Sequence, residues 1–148
     1  MNIFQRLKLF LCNPGAVPSE AWHHEVLGDT SWSEDDEAWV GEYNSIQFLL
    51  SYERDSPNPP DEVVAYAIAV LAPQFDLLGR FERLKADSVS GSPKNLKQEI
   101  PNLELENIQF YRGKDSCFAM ACVSGGENDR AWRFDMQGHE LSNLSFDS

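Results

Sequence analysis

A single helical block interrupts a chain otherwise written in short strands. Between Asn58 and about Ala86 the apolar residues recur at helical spacing, first Val64, Ile68 and Leu71, then Phe75, Leu77, Leu78, Phe81 and Leu84. Asn58 is placed to cap the first helix, Pro59 fits its first position, and Asp61 and Glu62 lie near the positive end of its dipole. Pro73 either kinks the block or opens a second helix, in whose later turns Arg80, Arg83 and Lys85 suit the negative end. Helices with one apolar stripe must bury it against another element, and the flanking segments offer sheet.

On the N-terminal side, short strands are expected around His24–Leu27 and Ala38–Glu42, joined through a turn at Ser33–Glu37. From Ser45 to Tyr52, Ile46, Phe48, Leu50 and Tyr52 alternate with polar positions in the period of a half-buried strand, and only Leu49 breaks the pattern. On the C-terminal side, Leu103–Tyr111 changes phase between Leu105 and Ile108, which predicts a bulge near Glu106-Asn107. Ser116–Val123 is apolar or small at successive positions, as in a central strand covered on both faces. Ala131–Asp135 and Glu140–Phe146 then form a hairpin across Met136–His139. Short turns between consecutive strands favour antiparallel pairing. The expectation is a single α+β domain over residues 1–148, an antiparallel sheet of about five to seven strands packed against a central helical pair, with 20–148 as its main body.

Residues 1–12 read as a short amphipathic helix with Ile3, Phe4, Leu7, Phe10 and Leu11 on one face, and Asn13–Pro18 as its connector. The apolar run Leu9–Cys12 is shorter than the roughly 7–15 residues of a signal peptide's core. No run approaches the roughly 20 apolar residues of a membrane span. Cys12, Cys117 and Cys122 are an odd set without disulfide-framework spacing, which points to a reducing compartment and a cytoplasmic protein.

Charge narrows the partners. The chain has 12 Lys and Arg against 24 Asp and Glu, a net charge of -12, so it lacks the basic footprint that neutralises nucleic-acid phosphates. Residues 1–60 hold 3 of the basic and 10 of the acidic side chains, and the densest run is Glu34-Asp35-Asp36-Glu37, between Trp32 and Trp39. It lacks the ligand spacing and glycine of an EF-hand loop. Acids beside aromatics suit a protein interface, with Glu34, Asp35, Asp36 and Glu37 steering a basic partner and Trp32 or Trp39 anchoring it.

Catalytic and metal signatures are missing from the pattern. His23 and His24 are adjacent on a strand and face opposite ways, so no metal site is expected there. Cys117 and Cys122 are five apart, on opposite strand faces and without an activating base at useful spacing. Gly125, Gly126 and Gly138 lie in turns and not in a phosphate-binding loop. No cofactor is expected. The alternative to a binding protein is a small enzyme or ligand-binding domain whose site gathers dispersed residues, His24, Glu42, Tyr43 and His139.

Val26–Trp32, Glu37–Glu42, Ala131–Asp135 and Leu144–Ser148 carry a resemblance in the order of elements across most of residues 24–148. In these the chain resembles small bacterial proteins of the domain-of-unknown-function kind, some of which are encoded beside polymorphic or contact-dependent toxins as immunity proteins. The resemblance implies a non-enzymatic inhibitor that binds a toxin domain. It brings no catalytic residues with it.

Overall fold

The computed structural model describes residues 15–127 and 130–147. Their architecture is one eight-stranded sheet whose spatial order follows chain order from β1 to β8. The first four strands are β1 (Ala21–His24), β2 (Gly28–Ser33), β3 (Ala38–Tyr43) and β4 (Ile46–Ser51), each antiparallel to the next. Asn44 and Ser45 form the two-residue turn between β3 and β4 with φ of 50° and 65°. Positive φ at both central positions matches the right-handed twist of the flanking strands, and Asn tolerates it better than most residues.

Residues 52–103 then cross one face of the sheet. They hold α1 (Asp61–Leu71), a 3-10 turn at Pro73–Phe75, α2 (Leu77–Ser90), α3 (Lys94–Glu99) and a second 3-10 turn at Ile100–Asn102. The chain returns as β5 (Glu104–Arg112), parallel to β4, and closes with β6 (Cys117–Ser124), β7 (Ala131–Gln137) and β8 (Glu140–Asp147), all antiparallel.

Among the described residues, the expected antiparallel sheet of five to seven strands on a central helical pair is therefore corrected to an eight-stranded mixed sheet with three helices. Short turns do enforce antiparallel neighbours, but the one long connection brings β5 back in the direction of β4, which only a crossover can do. The expected strand at His24–Leu27 is the β1–β2 turn, where the His24 ring accepts the Val26 amide at 3.0 Å; the strands flank it. The first helix begins two residues later than expected, with Pro60 in place of Asn58 at its N-cap and Asp61 and Glu62 in its first turn. Asp76, in the left-handed region at φ 57°, caps α2 by accepting the Gly79 amide at 3.2 Å. The expected N-terminal helix over residues 1–12 lies outside the described residues. The predicted bulge is present, as a register shift between Leu105 and Asn107.

The register puts Phe48 and Leu50, Ile108 and Phe110, Ala119 and Ala121, and Phe134 and Met136 on one face, all buried beneath the helices. Val63, Ala67, Val70 and Leu71 of α1 and Leu77 and Phe81 of α2 meet them, with Tyr66 edge-on to Phe110 and Phe81 stacked on Phe134. Leu78, expected in the apolar stripe, is exposed, and Lys85 is buried in its stead, donating from Nζ to the Leu103 carbonyl at 2.8 Å. Gly41 on β3 faces the same layer, and a Cβ there would stand 2.6 Å from the Phe48 ring, so the close crossing needs glycine. Among the described residues no single helix is long and apolar enough to cross a membrane.

Candidate functional site: the open face of the sheet

The opposite face carries none of the described helices. Pairing defines its rows: Ser33, Ala38, Ser51, Tyr111, Phe118 and Gln137 near one end, then Ser31, Val40, Leu49, Gln109, Met120, Asp135 and Ser142 across the middle. Its β3–β4 part is tightly closed, with Ala38, Leu49 and Ser51 buried and Gln109 donating to the Ser51 hydroxyl at 2.8 Å. Its β5–β8 part is accessible. Tyr111 and Phe118 stack there with centroids 5.0 Å apart and planes inclined by 8°. Desolvation by burial raises the Tyr111 phenol above its ordinary range, and the nearby Cys122 and Asp36 add to the rise against a lowering hydrogen bond with Ser51. The phenol therefore stays neutral at physiological pH, a stacked aromatic body with one polar tip.

Strand positions on this face bear Asp29, Glu42, Glu104, Asp135, Glu140 and Asp147, against one arginine, Arg133, and His23. His23 faces Asp29 at 2.7 Å and Arg133 faces Asp147 at 3.6 Å. Above the Tyr111 end projects the β2–β3 turn, Glu34–Glu37. There Asp36 accepts the Ser33 hydroxyl at 2.7 Å and Glu37 sits at φ 48°. Asp35, Asp36 and Glu37 are exposed and Glu34 half-buried, and none of the four has an ion-pair partner among the described residues. One group of acids elsewhere is neutralised. Glu53, Asp55 and Glu62 surround Arg112 on the helix side at 3.6, 3.1 and 3.5 Å.

The tryptophans expected as anchors belong to the other side. Trp39 is 0 % exposed and its indole donates to the Ser19 carbonyl at 2.9 Å. Trp32 is half-buried and packs edge-on against Trp39 and Tyr52, with centroids at 5.1 and 5.6 Å. Together with residues 16–19 they seal the covered layer beyond the helices. Being next to acids in sequence did not put them next to acids in space, because Trp32 and Trp39 pair directly across β2 and β3 and point inward together. The accessible aromatics, Tyr111 and Phe118, went unremarked in the sequence. Their signal was present in part, since each alternates with a covered-face residue, Phe110 and Ala119; the expectation that Ser116–Val123 is covered on both faces is corrected, because only its Ala119, Ala121 and Val123 side is buried and Cys122 on the other side is exposed.

The dispersed set His24, Glu42, Tyr43 and His139 does not assemble. Tyr43 and His24 lie at the β1–β2 end of the sheet, Glu42 points to the open face, and His139 sits in the β7–β8 turn beside Phe75, strands away at the other end. His23 and His24 face opposite ways, and no cluster of three or more His, Cys, Asp or Glu residues suited to a metal occurs among the described residues. Cys117 is half-buried on the covered side and Cys122 is exposed on the open one; desolvation by burial raises both thiols, which keeps them protonated and weakly nucleophilic. No family model, curated protein or solved structure matches the chain.

Proposed function

We propose that this chain is a non-enzymatic acidic binding protein that docks its open sheet face on a basic protein, most concretely as an immunity protein that neutralises a bacterial toxin domain. The observation that supports the reading most is the charge of that face: six strand carboxylates against one arginine, with the unpaired Glu34–Glu37 turn at its rim. Such a field attracts a positively charged surface over distances of about 8–10 Å at physiological salt and raises encounter rates more than it lengthens residence. Stacked Tyr111 and Phe118 supply large, rigid contact area close to the charged turn. Hydroxyl and amide side chains on the same face, Ser31, Gln109, Gln137 and Ser142, give hydrogen-bonding capacity without cationic charge.

The test is co-expression with a toxin domain encoded by an adjacent gene, followed by gel filtration and association kinetics. A stable complex is expected, whose association rate falls about tenfold when Glu34→Gln, Asp35→Asn, Asp36→Asn and Glu37→Gln are combined, with a much smaller change in dissociation. Failure to form a complex at micromolar concentrations in low salt would remove the inhibitor reading.

A further inference from the structure

Between β6, β7 and β8 the open face sinks into a cleft of about 450 Å³, lined among others by Phe118, Met120, Arg133, Asp135, Ser142 and Asn143. Met120, Asp135 and Ser142 are direct cross-strand neighbours, so the cleft has a thioether, a carboxylate and a hydroxyl in one row. Asp135 is half-buried there. Its carboxylate accepts the Asn143 side-chain amide at 3.2 Å, and it enters no ion pair among the described residues. An ionised carboxylate offers about four lone-pair sites, so most of its accepting capacity is unspent. Arg133, the cation lining the same cleft, faces Asp147 at 3.6 Å. Two carboxylates thus stand against one guanidinium.

We infer that this cleft receives a basic side chain of the partner protein, its methylene stem lying along Met120 and Phe118 and its charged head on Asp135. Long cationic side chains bury their stems on apolar surface while keeping the head with polar partners, and a charge-assisted hydrogen bond to a carboxylate is roughly twice as strong as a neutral one. The polarisable thioether adapts to an irregular stem, and the Phe118 ring face favours a nearby cation. This inference rests on the docking reading, to which it adds a division of labour: the Glu34–Glu37 turn brings the partner in, and the Asp135 cleft retains it.

The cleft can be tested without the partner. N-acetyl-lysine methylamide and N-acetyl-arginine methylamide are titrated into the full chain while the backbone amide signals of Met120, Asp135 and Ser142 are followed by NMR, with the uncharged norleucine analogue as control. Saturable shifts in the millimolar range are expected for the basic probes and none for norleucine, and the tighter of the two identifies the head group. Asp135→Asn, which keeps shape and removes charge, should weaken binding about tenfold, and the four-fold turn variant should leave it unchanged. Absence of saturable shifts with both basic probes, or equal binding by Asp135→Asn, overturns the assignment. Loss of these shifts with an intact toxin complex removes the cleft alone; intact shifts without a complex remove the inhibitor reading alone.

Discussion

Glu99 reaches the interior from the end of α3 with 1 % of its surface exposed, and a carboxylate in that position needs partners. It accepts the Glu127 backbone amide at 2.8 Å and the Trp132 indole at 2.7 Å, and it is ion-paired with Arg130. Desolvation alone would push its carboxyl up; the Trp132 and Glu127 hydrogen bonds and the Arg130 guanidinium outweigh that and hold it below the ordinary range. A depressed carboxylate stabilises the fold above its unfolded pKa, and the contribution is lost as pH falls through the folded value. Glu99→Gln keeps the shape and leaves Arg130 without its counter-charge, so urea denaturation at neutral pH should show a loss of about 3 kcal/mol, shrinking as the pH is lowered. Nothing in the sequence marked Glu99, because a lone acid between Gln98 and Ile100 reads as solvated until the strand carrying Trp132 is folded against it. The acidic turn was legible, since four consecutive carboxylates have no place but the surface. Its anchors were not, because the facing of Trp32 and Trp39 depends on strand pairing and not on sequence distance.

At the scale of elements, periodicity located the two long helices, the β4 strand, the terminal hairpin and the β5 bulge. It missed β2, whose Gly28, Asp29, Ser31 and Ser33 leave only Thr30 and Trp32 to show the alternation, and it missed the short helix at Lys94–Glu99. It also gave no sign of the parallel β4–β5 pair, which depends on where residues 52–103 deliver the chain. What holds α1 to the far hairpin is more local. The Tyr66 hydroxyl donates to the Gly138 carbonyl at 2.8 Å while its ring packs on Phe110. Burial pushes the Tyr66 phenol up from 10.0 to about 12, and the nearby Cys117 adds to the rise. A raised folded pKa means that the stabilisation is complete below pH 10.0 and is lost as the pH climbs through about 12. Tyr66→Phe should cost about 1 kcal/mol at neutral pH, and the difference from the wild-type chain should fall away across that alkaline window in parallel denaturation curves.

Over the described residues the molecule is two-sided. One face of the sheet is spent on the core with α1, α2 and the Trp32–Trp39–Tyr52 cluster, and the other keeps its hydroxyls, amides and carboxylates for solvent or a partner. Net charge of -12 is a property of the composition, but its use depends on this division: the acids around Arg112 are paired on the helix side, and those of the β2–β3 turn are not. Two of the methionines report on the two faces separately. Met120 lies on the open face beside Asp135, and Met136 is 1 % exposed beneath the helices. Methyl NMR of the chain labelled at methionine, recorded as the proposed basic partner is added, tests the docking face most directly. The Met120 methyl signal should shift or broaden in step with complex formation while Met136 stays in place. A complex that forms with Met120 undisturbed would place the partner elsewhere and contradict the open face as the binding surface.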